Sequence, residues 1–148
     1  MDEIARTALW FEKAKPEPTN QDFSVQLGVD IEEIGEMYAQ LRPLDAITEE
    51  ALADFLKAAA KLGELLKEAR DFVGIHDRIE FLDGVCDRTV TGIGSAVFAG
   101  MNVHGAMTEV NDSNFSKFVN GQPIFHPNGK IKKGENYFKP VLKPFTVK

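Results

Sequence analysis

The sequence predicts an all-α fold, and three observations carry that prediction. Apolar residues recur three and four positions apart over most of the chain up to residue 119. Capping residues, prolines and glycines stand at the ends of those runs. The strand-like signals are confined to the stretch after Asn120.

The first helix is expected over 3–14, ended by Lys15-Pro16-Glu17-Pro18, because two prolines cannot continue it. Thr19 and Asn20 are candidate caps for a second helix over about 20–41. Its stripe is Phe23, Leu27, Ile31, Ile34, Tyr38 and Leu41. Arg42-Pro43-Leu44-Asp45 breaks it. Thr48 is the expected cap of a long third helix to about Phe72, with Glu49 and Glu50 placed to complement its start. Gly74 stops it. A fourth helix over 76–100 carries Ile79, Leu82, Cys86, Val90, Ile93 and Val97 in register, and a fifth spans about 103–119. Beyond it, Pro127-Asn128-Gly129 between Ile124-Phe125 and Ile131 predicts a small hairpin. The tail from Tyr137 mixes Pro, Lys and apolar residues and is expected to pack in extended form.

The architecture is therefore a four- to five-helix bundle with an irregular C-terminal extension, in one domain over 1–148. Helices this amphipathic continue their core into a partner subunit, so an obligate oligomer is expected. A net charge of −6 argues against a nucleic-acid-coating surface. No apolar run is long enough for a membrane span, and the acidic start, Met1-Asp2-Glu3, is unlike a signal peptide. One cysteine, Cys86, excludes an internal disulfide and fits a reducing cytoplasm. It lies among Leu82, Val85 and Val90 and is expected as a buried thiol.

Four carboxylates stand out. Glu33 and Glu36 are three apart on the second helix and so share a face. Glu80 and Asp83 repeat the spacing on the fourth, with Asp87 further along the same side and Glu32 adjoining the first pair. On that helix the acids lie within about 60° of one another and border the apolar stripe. Such groups are either solvated helix faces or ligands of a divalent cation, which relieves their repulsion. Oxygen-only ligation favours Mg²⁺ or Mn²⁺.

The run Glu32-Glu33-Ile34-Gly35-Glu36 followed by Glu80-Phe81-Leu82-Asp83 resembles the EExxE…ExxD signature of the all-α nucleotide pyrophosphohydrolases, the MazG-like and phosphoribosyl-ATP pyrophosphohydrolase-like superfamily. A longer likeness is to the phage-type MazG-like members. It runs through Ser113-Asn114-Phe115-Ser116-Lys117 and then from Gly129-Lys130-Ile131-Lys132-Lys133-Gly134 to Tyr137 and Pro140. Trp10-Phe11-Glu12-Lys13-Ala14 and Gln26-Leu27-Gly28-Val29 resemble the same subgroup. The resemblance implies a homodimer or homotetramer. It implies two or more Mg²⁺ or Mn²⁺ ions held by Glu33, Glu36, Glu80 and Asp83. It implies hydrolysis between the α and β phosphates by a metal-activated water. The sequence departs from the family in two places. The third helix lengthens the gap between the acidic pairs, and Asp112 stands where members often carry a basic residue.

Candidate substrate contacts are Asn114 and Lys117, three apart on one face, and the lysines Lys130 and Lys133 with their neighbour Lys132. Tyr137 is a base-stacking or anchoring residue. Trp10 is either core or a stacking wall. Gln26 lies on the side of Glu33. The function expected is hydrolysis of a deoxynucleoside triphosphate, a purine such as dGTP, to the monophosphate and pyrophosphate. It would serve nucleotide-pool remodelling in the cytoplasm, the host's if the chain is phage-encoded. The alternatives are a dUTP, dCTP or modified-nucleotide pyrophosphatase, or a non-catalytic helical oligomerisation or metal-binding protein.

Overall fold

The computed structural model describes residues 1–68, 73–126 and 131–147. Five α-helices run through them: α1 (Glu3–Ala14), α2 (Asn20–Tyr38), α3 (Ala46–Lys67), α4 (Arg78–Phe98) and α5 (Val103–Phe115). A 3-10 turn follows at Lys143–Phe145. No strand forms among the described residues, so the all-α prediction holds. Two isolated bridges join Val119 to Gln122 and Phe125 to Ile131. The second flanks the expected hairpin, whose turn at 127–130 lies outside the described residues. None of the helices described is long and apolar enough to cross a membrane. The chain divides into two compact units, one of Glu17–His76 and one of Met1–Pro16 with Asp77–Lys148.

The Glu17–His76 unit is an antiparallel pair of helices. Thr19 opens α2 with a capping box. Its hydroxyl accepts from the Asp22 N–H at 3.2 Å, and Asp22 accepts from the Thr19 N–H at 2.9 Å. α2 stops at Tyr38 rather than Leu41, because the chain must leave helical geometry before Pro43. Residues 37–41 tighten into i→i+3 bonds instead. Asp45, not Thr48, caps α3. Its backbone is extended after Pro43-Leu44 (φ −146°, ψ 158°), and its carboxylate accepts from both the N–H and the hydroxyl of Thr48 at 2.8 Å. Thr48 thus sits inside the first turn. α3 is described to Lys67, and its expected end near Phe72 falls outside the described residues.

The two helices meet backbone to backbone. A Cβ on Gly28 would lie 2.8 Å from the Gly63 carbonyl oxygen, and one on Gly63 would lie 3.3 Å from that of Gly28. Ser24, buried at this crossing, donates to the Leu66 carbonyl at 3.0 Å. Lys67 donates to both Glu32 oxygens at 2.8 Å.

In the other unit α1 docks on α5 through a buried amide. Asn111 is 1% exposed. It donates to the Glu3 carbonyl at 3.1 Å and to its carboxylate at 2.7 Å, and accepts from the Thr7 hydroxyl at 3.0 Å. Arg6 pairs with Glu3 and with Asp112. α4 is capped by Asp77, which accepts from the N–H groups of Ile79 and Glu80. It is closed at Gly100 (φ +76°), whose N–H reaches Val97 while that of Met101 reaches Ala96, a Schellman ending. α4 nevertheless buries none of its residues. Cys86 is exposed, which corrects the expectation of a buried thiol. The register of the stripe was legible, but nothing among the described residues covers it: Ile79 is 79% exposed, Leu82 62% and Val90 67%.

α5 ends at Phe115, where 3-10 bonds from Lys117 to Asn114 and from Phe118 to Phe115 take over. The C-terminal segment then returns along α5. The Ser113 hydroxyl donates to the Phe138 carbonyl at 2.8 Å, and the Val141 N–H reaches the Glu109 carboxylate at 2.8 Å.

Candidate functional site

The acidic residues sit on the helices that the sequence assigned to them. Glu33 and Glu36 are exposed on α2, one turn apart. Glu80 and Asp83 are exposed in the first two turns of α4, where carboxylates complement the helix N-terminus. Among the described residues no lysine or arginine pairs with any of the four. Their oxygens are thus available to a hard cation, and the chemistry of the donor set fits Mg²⁺ or Mn²⁺. Glu32 differs from its neighbour Glu33, since it is committed to Lys67 and the α2–α3 pairing.

The two pairs belong to different compact units, Glu33 and Glu36 to one and Glu80 and Asp83 to the other. Among the described residues of either unit no three His, Cys, Asp or Glu side chains gather as a metal site. Each pair by itself offers two carboxylates one turn apart on its helix.

Five of the seven residues read as substrate contacts converge in the unit that holds α1, α4 and α5. Lys117 donates to Asn114 Oδ1 at 2.8 Å, and its ammonium stands 5.5 Å from the centre of the Trp10 ring. The Lys133 ammonium lies 4.5 Å from the centre of the Tyr137 ring. The Gly134 N–H donates to the Lys117 carbonyl at 3.1 Å, and the Tyr137 N–H to that of Gly134 at 3.1 Å, which fastens the second lysine and the tyrosine beside the first. Gly134 is needed there, since a Cβ would come within 2.8 Å of Val119 and 3.1 Å of the Lys117 carbonyl. Burial holds the Lys117 ammonium below the usual lysine range. The charge of Lys133 pushes the same way, against an opposing influence of Tyr137.

Trp10 is the scaffold of this cluster. Its Nε1–H donates to the Asn114 carbonyl at 2.9 Å, and its ring lies parallel to Phe118, centroids 5.8 Å apart. Gln26 is exposed on α2 and belongs to the other unit. Lys130 lies outside the described residues.

Two features were not read from the sequence. Asn111 gave no signal, because its partners Glu3 and Thr7 lie at the far end of the chain. A cavity of about 600 Å³ opens at the α2–α3 turn, between Tyr38, Leu41, Arg42, Leu52 and Phe55. Its apolar walls come from the two helical stripes, which the short connection leaves uncovered.

Comparison with family models, with curated proteins and with solved structures returned no match.

Proposed function

We propose that this chain is a metal-dependent nucleoside triphosphate pyrophosphohydrolase. It cleaves a deoxynucleoside triphosphate, a purine such as dGTP first among the candidates, to the monophosphate and pyrophosphate. The observation that carries this reading is the pair of helical carboxylate couples, Glu33 with Glu36 and Glu80 with Asp83, all exposed and free of ion pairs among the described residues. The likeness of both segments to the MazG-like signature supports the same reading.

In this reading Glu33 with Glu36, and Glu80 with Asp83, are the residues that would ligate Mg²⁺ or Mn²⁺. Bound Mg²⁺ or Mn²⁺ would supply Lewis-acid polarisation of the phosphates and activation of a water. The protein positions the phosphate chain and offsets its charge, the second task falling to Lys117 and Lys133. A homodimer or homotetramer accompanies the proposal, supported by the uncovered apolar face of α4.

The test is pyrophosphate release from a panel of nucleoside and deoxynucleoside triphosphates, dUTP and dCTP included, with Mg²⁺ or Mn²⁺. Chelation should stop turnover. Glu36→Gln should lower it by roughly a thousandfold, a barrier increase of about 4 kcal/mol, with the helical content unchanged. No turnover of any nucleotide would sink the enzyme reading, and a fully active Glu36→Gln would sink the metal assignment.

A further inference from the structure

Lys117 is half-buried, and among the described residues the one hydrogen bond of its ammonium is to a neutral amide. Among the described residues no carboxylate pairs with Lys117 or with Lys133. The chain as a whole is acidic, with 23 Asp and Glu against 17 Lys and Arg. Covering an ammonium without a counter-charge is unfavourable, and a second ammonium beside it adds repulsion. The arrangement is nonetheless built. Gly134 is packed too closely for any side chain, its N–H is bonded to the Lys117 carbonyl, and the stacked Trp10 and Phe118 back the first lysine. Lys117 has three N–H donors and spends one on Asn114 Oδ1. The Asn114 NH₂ remains as a further donor. Donors without acceptors, two positive charges and aromatic walls describe a place for an oxyanion.

We propose that Lys117, Lys133 and the Asn114 amide form a seat for a phosphoryl or pyrophosphoryl group, and that this seat binds its anion without a metal ion. It deepens the reading above, on which it rests only for the nucleotide as bearer of that group.

The experiment is calorimetric titration of the full chain with inorganic pyrophosphate in excess chelator at low ionic strength. A second arm uses a non-hydrolysable deoxynucleoside triphosphate analogue. The wild type should bind pyrophosphate saturably, and the analogue should compete for the same site. Lys117→Met and Lys133→Gln should each weaken binding at least tenfold. Lys117→Met should also unfold at the same temperature or higher, because it removes a partly desolvated charge; a merely structural lysine would give a loss. Absence of saturable pyrophosphate binding, or binding unchanged in both variants, overturns the seat. Pyrophosphate binding that the analogue does not displace overturns its role in holding the nucleotide. The carboxylate assignment stands or falls separately, since Glu36→Gln should keep metal-free pyrophosphate binding while losing turnover.

Discussion

At the scale of single residues, one amide and one carboxylate hold the N-terminal helix. Asn111 is almost wholly buried and has every polar atom bonded, two of its bonds going to Glu3. The Asn111 amide holds the Glu3 carboxyl below its ordinary value. Burial opposes that shift, while Arg6 and Thr108 add to it. A carboxyl with a depressed folded value stabilises the fold above its unfolded value of about 4.3, and that contribution is lost as pH falls through the lower, folded value. Glu3→Gln should therefore unfold at a lower temperature than the wild type near neutrality. The two should converge as the pH drops below about 4. Thermal melts across that range check this, and a gap that stays constant with pH would assign the loss to packing instead. The contrast with the candidate site is instructive. Asn114 and Lys117 were legible as neighbours because three residues along a helix is a local fact. Asn111 was not, because its role depends on residues about a hundred positions away.

At the scale of elements, the sequence reading succeeded where the deciding chemistry is local. The prolines at 16, 18 and 43 and the cap at Thr19 all act within a few residues. The start of α3 went wrong because Asp45 and Thr48 are both good caps three apart. The extended backbone at Asp45 decides between them. The α2–α3 crossing was also beyond a stripe of apolar residues, since its centre is two glycines and a serine. It carries a paired prediction. Gly28→Ala pushes a methyl against the Gly63 carbonyl. Overpacking of this kind costs about 1–3 kcal/mol, against roughly 1 kcal/mol gained in helix propensity. Gly35→Ala on the same helix meets only the Ala59 Cβ at 3.9 Å and keeps the propensity gain. Circular dichroism melts should show the first variant below wild type and the second above it. The scale is about 2–4 °C per kcal/mol in a chain of this size. Equal shifts would mean that the helices do not touch at Gly28.

At the scale of the molecule, α4 is the unresolved element of the single chain. It has 21 residues and buries none of them. Isolated helices are marginal in water, and most helical stability in proteins comes from packing an apolar face. Here Ile79, Leu82, Val90 and Val97 remain open, with Glu80 and Asp83 at the border of that face. Periodicity revealed the face but could not reveal what covers it, which is why Cys86 was expected inside. The proposed oligomer supplies the cover, because a face repeated in a second copy meets its own kind. Sedimentation equilibrium at micromolar concentration should then give a multiple of 16.4 kDa. Val90→Glu would place a charge in that contact once per copy. Losing the burial of one valine and desolvating a carboxylate amount to about 3 kcal/mol or more, a hundredfold or greater rise in the dissociation constant. The variant should run as a single chain with α4 partly unwound, visible as a fall in helical circular dichroism. A wild type that sediments as one chain, with α4 fully helical, would remove the oligomer from the proposal.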